Sequence, residues 1–261
     1  MVFKKLMQAL GVGGPEVETV LHDPNTVPGG VVTGEVTLQG GTHDSQLRGV
    51  FLALRTRVEV ESGDNEHSTD LEYAKLPITG AFSLDSGTRR TIPFRFHLPW
   101  EAPLTHFYGQ PLHGTTVGLA TEVEIAGAVD ATDLDPVAVH PLPAQERILS
   151  ALAGLGFRFR KADCEKGRIH GVNQELPFYQ EIEFSPPSRY AGGITQLEVT
   201  FVSHPQSMEV VLELDKRGGF FTEGHDSFSR FTVDYATVDR TDWQQELDGY
   251  LQHASRRRGF F

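Results

Sequence analysis

Alternation of apolar and polar residues at a period of two, repeated in short segments along the chain, is the feature that most restricts its fold. Between Val50 and Val60, the side chains of Val50, Leu52, Leu54, Thr56, Val58 and Val60 share one side, and Arg55, Arg57 and Glu59 share the other. That is the signature of a strand with one buried face. The pattern recurs at Val32 to Leu38, Ile92 to Leu98 and Val117 to Ile125, separated by turn sequences such as Gly40-Gly41, Ser62-Gly63-Asp64-Asn65 and Asp85-Ser86-Gly87. Strands so spaced, with no helices between them, form sandwiches rather than parallel α/β sheets. Pro93 interrupts one of these segments. Lacking an N–H to donate, it places that strand at an edge or at a bulge.

A joint from Ile125 to Glu165 divides the chain into two strand-rich halves. Asp130, Asp133 and Asp135 lead into Pro136, and Pro141 and Pro143 introduce one amphipathic helix at about 144–155. Alternation then resumes at Phe157 and Phe159, Ile182 and Phe184, Leu197 to Phe201, Val210 to Leu214, and Phe231 to Tyr235. Lys216-Arg217-Gly218-Gly219 reads as a hairpin turn, because glycine tolerates the positive φ such turns need. The expected architecture is all-β: sandwich domains over 1–137 and 138–261, with Asp130, Asp133, Asp135 and Pro136 as the interdomain joint. Thr241-Asp242-Trp243-Gln244 fits a capping box, and Trp243, Leu247, Tyr250 and Leu251 then form one stripe of a terminal helix at about 242–253. Phe3, Leu6, Met7 and Leu10 have helical spacing too, stopped by Gly13-Gly14-Pro15.

Charge limits the partners. The 23 Lys and Arg against 35 Asp and Glu leave a net charge of −12, the wrong sign for wrapping nucleic acid. One cysteine, Cys164, forms no intrachain disulfide, which fits a reducing compartment, and the N-terminal residues lack the apolar run of a secretory signal. A cytoplasmic protein is expected.

Chemistry is hard to find in this sequence. Its 11 histidines show none of the close pairings of a helical zinc site, and Asp130, Asp133 and Asp135 lack the glycine and terminal Glu of a calcium loop. Cys164 lies between Asp163 and Glu165, whose charges disfavour a thiolate. Glu181, Glu183, Glu198, Glu209, Glu213 and Asp215 fall on outward strand positions and read as a solvated face. No catalytic residue, metal or cofactor is expected. A carbohydrate-type ligand site would have to use the loop aromatics Trp100, Phe107 and Tyr108, with His106 and His113 nearby, and a hydrolase would have to draw two carboxylates from the acidic face. Partner binding is assigned to the helical stripe Trp243, Leu247, Tyr250 and Leu251. The cationic end, Arg256, Arg257 and Arg258 with Phe260 and Phe261, is assigned to it as well. The partners expected are cytoplasmic proteins, with self-association through sheet edges and membrane-surface contact through the basic end as lesser options.

Several segments, in order, carry a family resemblance: FKKLMQALGVGGPEVETVL (Phe3 to Leu21), PGGVVTGEVTLQGG (Pro28 to Gly41), TIPFRFHLP (Thr91 to Pro99), AVDATDLDPVAVHPLPAQERILSALAGLGF (Ala128 to Phe157), ADCE (Ala162 to Glu165) and LPFYQEIEFSPP (Leu176 to Pro187). Together they resemble the bacterial sporulation-control family called SpoOM, whose members are arrestin-like in fold. The resemblance implies two tandem arrestin-like β-sandwich domains, a cytoplasmic location, and a non-enzymatic adaptor or scaffold role in sporulation or cell development. It brings no catalytic residues.

Overall fold

A computed structural model describes residues 13–62, 65–216 and 227–256. The first half contains β1 (Glu16–Leu21), β2 (Asn25–Thr26), β3 (Val31–Gln39), β4 (Ser45–Ser62), β5 (Asn65–Thr79), β6 (Phe82–Leu84) and β7 (Arg89–His97). After them come β8 (His106–Phe107), β9 (Gln110–Pro111), β10 (Val117–Ile125), β11 (Ala131–Pro136) and β12 (Ala138–Val139). The second half opens with helix α1 (Pro143–Gly154) and continues through β13 (Arg158–Lys166), β14 (Phe178–Ser185), β15 (Ile194–Ser203), β16 (Ser207–Lys216) and β17 (Ser227–Asp234) to helix α2 (Trp243–Arg256).

The first half is a sandwich. Sheet β1-β3-β7 faces the sheet built on β10, β4 and β5, and apolar residues from alternate positions, among them Val36, Phe96, Leu54 and Leu119, fill the space between. Pro93 lies on β7, an edge strand of its sheet, where its missing N–H costs no ladder bond. The second half departs from the expected sandwich. Among the described residues it is one antiparallel sheet, β13 to β17, with α1 and α2 packed together and contributing Ile148, Leu152, Leu247 and Leu251 to the core. Helix α1 starts where the prolines direct it. Pro143 sits in its first turn, and the Gln145 side chain accepts from Leu142 N at 2.8 Å. At the start of α2 the cap is Asp242, whose Oδ1 accepts from Gln245 N at 3.1 Å.

The aspartate joint is also corrected. Ala131–Pro136 is β11, paired antiparallel along β10 from Val123↔Ala131 to Gly118↔Pro136. Aspartate is a poor strand former, but here the side chains are used: Asp130 Oδ1 accepts from Ile125 N at 2.9 Å, and Asp133 Oδ2 accepts from Thr19 N at 2.7 Å, tying β11 to β1. The changeover also lies later than 137/138, because Ala138–Val139 pair in parallel with Asn25–Thr26 of the first half.

The halves are joined by more than their connector. Strand β5 covers one edge of β4, β10 covers the other from Leu47 to Thr56, and β13 meets that same edge beyond β10 at Glu59↔Glu165. One sheet therefore runs across both halves. Gln180 on β14 reinforces the joint, accepting from Leu104 N at 2.8 Å and donating to Leu104 O at 2.7 Å. Glu101 accepts from Glu175 N and Leu176 N, both at 2.8 Å. Ala162 N donates to His113 O at 2.8 Å, and a Cβ on the adjacent Gly114 would lie 2.1 Å from Ala162 O, so this close approach, at φ +105°, admits only glycine. Tyr73 and Phe178 meet edge to face across the boundary, at 5.1 Å between ring centroids.

Candidate functional site

Strand register gathers the acidic residues. Asp163 lies opposite Glu181, Glu183 opposite Glu198, and Glu198 opposite Glu213, while Glu165 lies opposite Glu59 across the boundary. Positions i and i+2 share a face, so these carboxylates form a belt across β4, β13, β14, β15 and β16. The intervening residues Ile182, Val199 and Leu212 turn to the opposite, core-facing side. Within the belt, one carboxylate oxygen each from Glu181, Glu198 and Glu213 lies within 4.8 Å of the others.

Glu165, Glu181, Glu198 and Glu213 of the belt floor a cleft of about 1160 Å³, whose lining also includes Tyr179, Thr200, Arg168, His170 and Arg230. Its wall is the segment between β13 and β14. Gln174, buried there, accepts from Ile169 N at 2.9 Å and donates to Gly167 O and Leu176 O at 2.8 Å, which fixes the segment's path. Arg168 Nη1 donates to Gln174 O at 2.7 Å, and Arg230 of β17 donates to Gly171 O, closing the wall onto the sheet.

Crowding sets the electrostatics of the floor. Burial and then the charges of Glu198, Glu165, Glu213 and Asp163 push the Glu181 carboxyl up to about 9, so it holds its proton at neutral pH. Burial, with Asp215, Glu183 and Asp163 adding to it, raises Glu198 against a lowering hydrogen bond from Gln196. Lys161 is the internal counter-ion: it donates to Asp163 Oδ2 and reaches Glu183 Oε1 at 3.1 Å, and the Asp163 bond raises its own pKa. Arg160 Nη1 lies 3.6 Å from Glu183 Oε2. The expectation of a solvated acidic face is thus corrected in part, since Glu183 is only 6% exposed. The signal was the outward glutamates themselves; what brings them together is register between residues up to about 150 positions apart, which periodicity does not encode.

The residues assigned to partner binding are placed otherwise. Leu247 and Leu251 are buried in the core, and Trp243 stacks on Phe231 at 5.8 Å between centroids while its Nε1 donates to Val238 O at 2.9 Å. Trp243, Leu247, Tyr250 and Phe231 line a shallow groove of about 310 Å³, so part of the stripe is reachable from solvent. Arg256 ends α2, and Arg257, Arg258, Phe260 and Phe261 lie outside the described residues. So do the N-terminal helical pattern at Phe3, Leu6, Met7 and Leu10, the two central residues of the turn from Ser62 to Asn65, and the turn at Lys216 to Gly219 beyond Lys216. The loop aromatics divide. Phe107 and Tyr108 stack at 4.0 Å with the Tyr108 hydroxyl 2.7 Å from Ser150 Oγ, whereas Trp100 packs over Gly29. His106 meets His140, with ring centroids 4.9 Å apart. Cys164 is buried, and burial above all pushes its thiol up to about 12.

A chain with one sheet running through two halves and a carboxylate-floored cleft is, as a class, a mainly β protein. Comparison with known proteins gives the particular family. The sequence profile of the family described as SpoOM protein matches residues 3–218, and the chain belongs to that family. The curated sporulation-control protein spo0M of Bacillus subtilis strain 168 is 33% identical over 216 residues, covering 82% of this chain and 81% of that protein. The crystal structure of Spo0M, sporulation control protein, from Bacillus subtilis superposes with a TM-score of 0.81 at 28% identity, covering 93% of this chain and 99% of that one. The fold is shared, and the family relation supports a role as a sporulation regulator. Among the described residues, no helix is long and apolar enough to cross a membrane.

Proposed function

We propose that this chain is a non-enzymatic, cytoplasmic regulator of sporulation or cell development that works by holding protein partners, as an adaptor of arrestin-like build. The observation that carries this reading is the cleft of about 1160 Å³, a floor of glutamates on a sheet that runs across both halves. Its chemistry selects the partner. A Lys- or Arg-rich segment pairs with the crowded carboxylates of Glu198 and Glu213 and, by bringing positive charge beside Glu181, favours release of the proton Glu181 otherwise holds.

Binding of a synthetic Lys/Arg-rich peptide, followed by fluorescence anisotropy, tests this. The peptide is expected to bind the full chain, to weaken steeply with added salt as screened charges do, and to lose at least about tenfold in affinity when Glu181, Glu198 and Glu213 are all changed to Gln. Equal binding by the folded triple variant would move partner recognition away from the cleft.

A further inference from the structure

Asp163 is the most deeply buried carboxylate of the belt, 5% exposed, and its two oxygens are treated differently. Lys161 donates to Oδ2. Oδ1 is shielded from solvent and has no hydrogen-bond partner. A buried carboxylate oxygen left without a donor is strongly unfavourable unless a positive charge meets it. The same side chain belongs to a second carboxylate group: one oxygen each from Glu59, Asp163 and Glu165 lie within 4.8 Å of one another. Glu59 and Glu165 are the register pair at which β4 of the first half meets β13 of the second.

We propose that Glu59, Asp163 and Glu165 form a binding site for a divalent calcium ion that clamps the two halves of the sheet together. The donors are carboxylate oxygens, which select a hard cation over zinc or copper. Oxygens sharing one calcium, each about 2.3–2.6 Å from it, lie within about 5 Å of one another, as these do. Calcium also accepts the irregular arrangement that two neighbouring strands impose, whereas magnesium demands a near-ideal octahedron at about 2.0–2.1 Å and gives up its water reluctantly. Lys161 stays on Oδ2, so the ion is met by Oδ1 and no existing contact of Asp163 has to break. The site adjoins the Glu181, Glu198 and Glu213 floor, since Asp163 lies opposite Glu181 and Glu165 lines the same cleft, but its three ligands are not the residues changed in the peptide test above.

Isothermal titration of the full chain with calcium chloride, paired with thermal unfolding in the same buffers, is the test. The expected result is one site of submillimolar affinity, a higher Tm with calcium, and at least about tenfold weaker calcium binding in Glu59→Gln, which leaves the Lys161 contacts untouched. Asp163→Asn is expected to lose the site as well; should that variant fail to fold, Glu59→Gln decides. Glu213→Gln, on the far side of the belt, is expected to change the affinity by less than about threefold. Absence of calcium binding, unchanged binding in Glu59→Gln, equal loss in Glu213→Gln, or magnesium binding as tight as calcium would each overturn the assignment.

Discussion

Replacing Leu251 by Ala is expected to destabilise the folded chain by about 2–5 kcal/mol, the range for emptying a fully buried leucine site. Leu251 is 0% exposed and Leu247 only 2%, and both belong to the core where α2 packs on α1. Leu247→Ala should cost a similar amount. The size follows from geometry: α2 is held in place by α1, by the Tyr190 to Asp248 hydrogen bond and by the Trp243 stack on Phe231, so the neighbours have little freedom to collapse into the vacancy. Urea unfolding followed by circular dichroism reads the effect. A loss below about 0.5 kcal/mol for Leu251→Ala would show that α2 is a loosely attached appendage presenting its apolar stripe to partners, as the sequence pattern taken alone implies. A loss of partner capture in such variants would report unfolding, whereas the cleft glutamates can be changed without touching the core.

Stability is expected to fall as pH rises from 5 to 9, and Glu181→Gln is expected to remove most of that fall. The Glu181 carboxyl titrates at about 9 in the folded chain against an ordinary value of 4.5, so the folded state binds the proton more tightly. The associated stability is therefore fully present below pH 4.5 and is lost progressively as pH climbs to about 9. Each pH unit within that window is worth at most about 1.4 kcal/mol, and water reaching a partly exposed carboxyl reduces this by roughly half. The Gln variant should accordingly be about 2 kcal/mol more stable than the parent at pH 8 and nearly equal to it at pH 5. Asp135, raised to about 6 first by burial and then by Asp133 and Glu18, acts in the same direction between pH 3.8 and 6. Denaturant titrations at intervals from pH 5 to 9 measure both curves. A parent chain that gains stability over this range would refute the crowded-carboxylate account of the cleft.

Much of the fold was legible because its strands each bury one face, and one-sided burial writes itself as alternation. Val50 to Val60 and Ile92 to Leu98 were readable for that reason, and Pro93 marked its edge through the donor it lacks. Helix α1 was readable through the prolines that introduce it and the amphipathic pattern that follows them. What escaped was either atypical locally or set by distant partners. Strand β11 reads ATDLDP, poor in strand formers, and exists because β10 and Thr19 supply partners for its backbone and side chains. The union of the halves at Glu59 and Glu165, and the Gln180 and Glu101 bonds that reinforce it, join residues more than 70 positions apart with no local pattern. The candidate site lay between these cases. Its glutamates were visible as outward positions, but their convergence required the register of five strands and their burial required the Gln174-shaped wall.

A single genetic measurement tests whether the carboxylate cleft carries the proposed role in sporulation. In Bacillus subtilis lacking its own Spo0M, the frequency of heat-resistant spores would be compared for cells expressing this chain and cells expressing the chain with Glu181, Glu198 and Glu213 changed to Gln, at matched protein levels. The parent chain is expected to change the spore frequency toward that of the intact strain, and the triple variant is expected to leave it where the deletion set it. Equal restoration by both would contradict the role given to the cleft, and failure of the parent chain itself would contradict the regulatory function carried over from the family.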